Sequence, residues 1–154
     1  MPLCLEATTA QLSAVKSPEE WTELEVCIDS GACESVMPYE LCKHIGVVES
    51  AQSKEGVEYE VANGSTIPNL GERRCQIMTP GSMVPKTLTF QVADVHKALL
   101  SISRCADLGY ECHLSQGGGY LEDKVSGEKI PLVRKDNLYM LRTWVRQNPF
   151  VRPE

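Results

Sequence analysis

From Trp21 onward the chain alternates. Leu24, Val26 and Ile28 are separated by Glu23, Glu25 and Cys27, the period-two pattern of a strand with one buried face. The pattern stops at Asp29-Ser30-Gly31-Ala32, residue types that favour a tight turn. Residues 1–20 mix Ala, Thr, Ser and Glu without a strong period and read as a leader. The spacing predicts a short helix over 38–46, with Pro38 at a first helical position and Gly46 where a left-handed C-terminal residue is wanted.

Val57, Tyr59 and Val61 next alternate with Glu58, Glu60 and Ala62 and run into Asn63-Gly64, a strong hairpin signal, with Ser65-Thr66-Ile67 as the return strand. Pro68 has no N–H for a ladder, so this hairpin is expected at an edge or projecting from the body as a flap. Strands are predicted over 72–78 and 87–92, and Leu99-Leu100-Ser101 leads into a helix over 102–108 that Gly109 stops, with serines able to cap it. The remainder reads as a meander over 110–114, 120–123, 130–134 and 138–145, with a flexible glycine turn at 115–119. Residues 146–154 contain two prolines and little apolar content and are expected to fray. The fold class implied is mainly β, in one principal domain.

Length agrees with that: 154 residues, 42% hydrophobic and 23% charged, are ordinary for a single globular domain. With 6% aromatic residues, buried area must come from aliphatic side chains, Met, Ala and Cys. The net charge of −6 opposes docking on a phosphate backbone, so nucleic-acid binding is not expected of the domain. Charge is uneven, since residues 124–154 hold seven basic and three acidic side chains, a bias most simply read as a solvated face. The beginning of the chain lacks the cationic start and apolar run of a signal peptide, and no apolar stretch is long enough to span a bilayer. Seven cysteines without a CxxC pair suggest reduced thiols rather than a disulfide framework or zinc knuckle, so a cytoplasmic setting without a metal or other cofactor is expected.

The candidate chemistry lies at Asp29-Ser30-Gly31-Ala32, where a carboxylate is held at the rim of a sheet by a turn of small residues. Alone, such a tetrapeptide is an ordinary loop; the strand before it and the projecting hairpin after it give it weight. Three rivals are weaker. Cys33 with His44 could form a thiol hydrolase, but nothing in the sequence orients the imidazole. Cys105, Cys112 and His113 could ligate a metal, yet a fourth ligand at close spacing is missing. Gly117-Gly118-Gly119 lacks the Lys and Ser/Thr of a phosphate loop.

Across 21–121, the order of these segments resembles the retropepsins, the single-domain aspartic proteases of retroviruses and retrotransposons. Val26-Cys27-Ile28-Asp29-Ser30-Gly31-Ala32 is similar to that family's apolar strand and Asp-Thr/Ser-Gly-Ala turn, and 57–71 is similar to its flap. Phe90 to Val95 and Leu99-Leu100-Ser101 resemble its late strand and the apolar pair before the closing helix, with Ser101 where most members have Gly. That serine, Gly109-Tyr110 and the glycine-rich turn resemble copia-type polyproteins. Asn137-Leu138-Tyr139-Met140-Leu141 resembles the segment between protease and integrase, which makes 122–154 a β-rich extension.

The resemblance implies a closed β-barrel with a flap, acting as a homodimer in the cytoplasm or in retrotransposon particles on the element's own polyprotein. It implies Asp29 as the catalytic residue, Ser30, Gly31 and Ala32 as support of the catalytic loop, and Val61, Ala62, Asn63, Gly64 and Ser65 as flap and substrate contacts. Peptide hydrolysis by carboxylates needs two of them, and the chain carries one Asp-Ser-Gly, so the second is expected from another copy. A catalytically inactive module of the same fold, kept for dimerisation or peptide binding, is the alternative, since fold does not guarantee activity.

Overall fold

The computed structural model describes residues 21–147, so the leader and the residues after Gln147 lie outside it. Half of the described residues are in strands and 8% are helical. Among the described residues eleven strands follow one another: β1 (Trp21–Asp29), β2 (Val36–Met37), β3 (Glu58–Glu60), β4 (Thr66–Pro68), β5 (Glu72–Met78), β6 (Lys86–Val92), β7 (Leu99–Ser101), β8 (Tyr110–Ser115), β9 (Gly118–Asp123), β10 (Lys129–Lys135) and β11 (Leu138–Arg146). Two short helices interrupt them, α1 (Ala51–Lys54) before β3 and α2 (Ile102–Asp107) after β7.

Nine strands form one sheet in the order β1-β7-β2-β6-β5-β11-β10-β9-β8, and a further pairing of β1 with β11 returns six of them onto themselves as a ring. The β1–β11 register is antiparallel from Trp21↔Arg146 to Cys27↔Met140, while the last residues of β1 run parallel to β7, with Asp29 opposite Ser101. Val26, Cys75, Phe90, Val92 and Val145 are buried in the core that this ring contributes to. The boundary expected after Leu121 falls inside β9, and β11, from the expected extension, is hydrogen-bonded to both β1 and β5. Arg146, expected to fray, closes β11 opposite Trp21.

The helix expected over 38–46 does not form. Leu41 and Ile45 donate their amides three residues back, to Pro38 and Cys42, and Cys42 adopts a left-handed φ of 57°, so the segment is a chain of turns. The reason is tertiary. Arg73, 1% exposed on β5, donates Nε–H to the Ile45 carbonyl at 2.9 Å and an Nη1 hydrogen to that of Leu41, and its guanidinium lies 5.3 Å from the Tyr39 ring centre. A buried cation needs acceptors, and these carbonyls supply them. The helix that does form nearby, α1, follows Ser50, which accepts from the Ser53 amide while Ser53 Oγ–H donates to the Ser50 carbonyl. The glycine turn also differs, because Gly118 and Gly119 belong to β9 and only Gln116-Gly117 turns.

Among the described residues no helix is long and apolar enough to cross a membrane. Replacing Arg73 with Ala would leave two carbonyls without their donor and a void beside Met37 and Tyr39. The expected loss is about 3 kcal/mol. Urea unfolding checks this, and an unchanged midpoint would contradict the structural role given to Arg73.

Candidate active site

Asp29 stands at the point where β1 ends and the ring opens into a turn. Its Oδ1 accepts the Gly31 amide at 2.8 Å, so the turn folds back on the carboxylate that begins it. A Cβ at Gly31 would lie 3.3 Å from the same oxygen, which explains the smallest residue there. The turn is fixed from the other side by Ser101, fully buried beside Asp29 on the neighbouring strand. Its Oγ–H donates to the Ala32 carbonyl at 2.7 Å and the same oxygen accepts the Arg104 amide, capping α2, while its own amide donates to Ser35 Oγ. Ser101 thus fastens strand, turn and helix together. Its capping role is legible in the sequence; its bond to Ala32 is not.

The flap is a separate two-stranded sheet, with Glu58↔Pro68, Tyr59↔Ile67 and Glu60↔Thr66 paired. Val61 donates to the Ser65 carbonyl and accepts from Gly64, whose φ of 88° closes a three-residue loop. A cavity of about 410 Å³ lies between the hairpin and the turn that follows Asp29. Of the residues expected there, Asp29, Gly31, Ala32, Val61 and Ala62 line it. Ser30 is exposed and outside the lining, as are Asn63, Gly64 and Ser65 at the flap tip, where Asn63 Oδ1 holds the Ser65 amide and hydroxyl.

Several lining residues were not assigned to this site from the sequence: Glu34 and Val36, together with Cys33, weighed only as a thiol nucleophile, and Tyr59, Ile67 and Leu99, read only as parts of strands. Two of these tie the flap to the turn. Tyr59 O–H donates to Glu34 Oε2 at 3.3 Å, and Gln52 Nε2–H, from α1, donates to Glu34 Oε1 at 2.6 Å. Behind them, buried Asn69 donates to Tyr59 Oη and to Gln91 Oε1, both at 2.8 Å, and its Oδ1 accepts from Ser50 Oγ–H and the Gly71 amide. Only the long separations in sequence between these partners hid the network, since each residue alone is an ordinary polar side chain.

The rival constellations do not assemble. His44 faces the Arg146 carbonyl at 3.1 Å. Cys105 is a core thiol whose pKa burial pushes up to about 11. Cys105, Cys112 and His113 form no three-ligand cluster among the described residues; His113 stacks on Tyr120 at 4.6 Å and meets Glu111 and Glu122, which also contact Lys124. Comparison of the chain with known protein families, curated proteins and solved structures gives no match.

Burial, above all, pushes the Tyr59 phenol up to about 12. Since the fold favours its neutral form, this contribution to stability is complete below pH 10 and is lost as pH rises from 10 towards 12. Ultraviolet titration should resolve a late-ionising tyrosine that is missing in Tyr59→Phe, and wild-type stability should fall more steeply over that interval than the variant's. Identical titrations would remove the tether from the site.

Proposed function

We propose that the protein is an aspartic endopeptidase of the retropepsin type, in which the ring of strands is the closed barrel of that fold and two copies share one site. The observation that supports this most directly is the placing of the Asp29 carboxylate, held by the Gly31 amide, at the wall of a largely apolar cavity under a hairpin flap. Such a site suits an extended peptide: apolar walls take side chains, and a hairpin laid over the substrate excludes water.

The mechanism follows from the carboxylates. One Asp29 of the pair, ionised, accepts a proton as water attacks the scissile carbonyl carbon; the other, protonated, donates a hydrogen bond to the carbonyl oxygen. The tetrahedral diol then collapses, the C–N bond breaks, and the nitrogen leaves with a proton from the dyad. Two carboxyls at such range share one proton because both cannot ionise easily together, as in other aspartic-protease dyads. Ser101 is a positioning residue in this scheme, because it restrains the turn that carries Asp29 without reaching the reacting atoms. The substrate is read as the polyprotein of a copia-type retrotransposon, and the chain as a piece or descendant of such a polyprotein.

Purified protein incubated with a peptide library at mildly acidic pH should cleave peptides. Asp29→Asn should abolish turnover while leaving the fold and dimer intact, and specific activity should collapse on dilution below the dimer dissociation constant. Cleavage by the Asn variant, or activity independent of dilution, would overturn the reading. A folded dimer that binds peptides without cutting them would assign the site to the inactive module.

Cys33 is exposed at the cleft, so a thiol mechanism has its own check. Cys33→Ala should keep turnover within about threefold of wild type, whereas loss of a nucleophile costs orders of magnitude. Abolished turnover in a folded variant would move the chemistry to the thiol.

A further inference from the structure

The charge around this cleft is one-sided. Glu34, Glu58 and Glu60 join Asp29 in its lining, and among the described residues no Lys, Arg or His does. Elsewhere on the surface carboxylates meet cations: Glu23 with Arg142 at 2.7 Å, Glu72 with Arg74 at 2.8 Å, Glu128 with Lys86 at 3.3 Å, Glu25 with Lys135 at 3.5 Å. Among the described residues no cation lies within ion-pair distance of the four cleft carboxylates. Glu34 is instead held by the neutral donors Gln52 and Tyr59, which orient its carboxylate and leave its charge in place. Glu58 and Glu60 stand two apart on β3, hence on one side of that strand, and both are exposed.

We propose that these carboxylates make the cleft selective for cationic peptides, extended segments in which Lys or Arg flanks the apolar residues seated against Val36, Ile67 and Leu99. The inference rests on reading the cleft as a peptide site, not on catalysis within it. A concave site with low-dielectric walls focuses the field of its charges, so it attracts cationic side chains and repels acidic ones. Lys and Arg fit doubly, since the stem can lie along an apolar wall while the head reaches a carboxylate. Glu34 stands on the turn after Asp29 and Glu58 and Glu60 on the hairpin, so a peptide lying between them meets carboxylates from both sides.

The test uses the Asp29→Asn protein and fluorescent octapeptides with a common apolar centre flanked by either lysines or glutamates, read by anisotropy. The lysine peptide should bind at least about tenfold tighter at low salt, and the advantage should shrink as salt screens it. Glu58→Gln with Glu60→Gln should reduce that advantage several-fold. Glu111→Gln with Glu122→Gln, the same change in net charge on β8 and β9, should leave it intact. Equal binding of the two peptides, preference for glutamates, binding of neither, or equal losses in both double variants would overturn the proposal. Wild-type cleavage separates it from the reading it rests on. Selective binding without cleavage would sink the protease and keep the cationic site; cleavage indifferent to flanking charge would do the reverse.

Discussion

β1 is asked to satisfy two partners at once, and the architecture follows from how it does so. Along most of its length it pairs antiparallel with β11, and its last three residues pair in parallel with β7. The first pairing turns a sheet into a ring and buries Leu24 and Val26 within it. The second sets Asp29 beside a fully buried serine rather than in free solvent. A strand with unpaired backbone groups is a liability in water; here that requirement also fixes where the carboxylate stands.

Two kinds of polar interaction then refine the site. Ser101 and Ser35 stiffen the turn from beneath through bonds that buried hydroxyls can hardly forgo. The chain Gln91–Asn69–Tyr59–Glu34 spans from the core to the flap, so the hairpin and the turn after Asp29 are coupled through satisfied, mostly shielded hydrogen bonds. Glu34 is both the outermost acceptor of this network and one of the cleft's carboxylates. Arg73 does the equivalent work on the opposite segment, gathering the carbonyls of Leu41 and Ile45 around a buried cation.

The local alternation of Leu24, Val26 and Ile28, the Asn63-Gly64 turn and the Ser101 cap are short-range signals, and strand β1, the flap and helix α2 were legible from them, together with the meander after Gly109. So was Asp29 as the residue of interest, since a carboxylate after an apolar strand and before a glycine stands out without knowledge of the rest. The 38–46 segment could not be read this way: Pro38 and Gly46 are ordinary helix punctuation, but Arg73, nearly thirty residues on, gathers the Leu41 and Ile45 carbonyls, and the first of these is the one a helix would have bonded to the Ile45 amide. Nor could the sequence tell that β11 closes the ring, because antiparallel pairing between strands more than a hundred residues apart leaves no mark in either strand alone. Elements whose physics is local, most of the strands, turns and caps, and the carboxylate that one of them carries, are written in short stretches of residues. Tertiary structure alone decided which carboxylates and hydroxyls share a cleft with Asp29, because hydrogen bonding and charge act between groups that only the folded chain brings within a few ångströms.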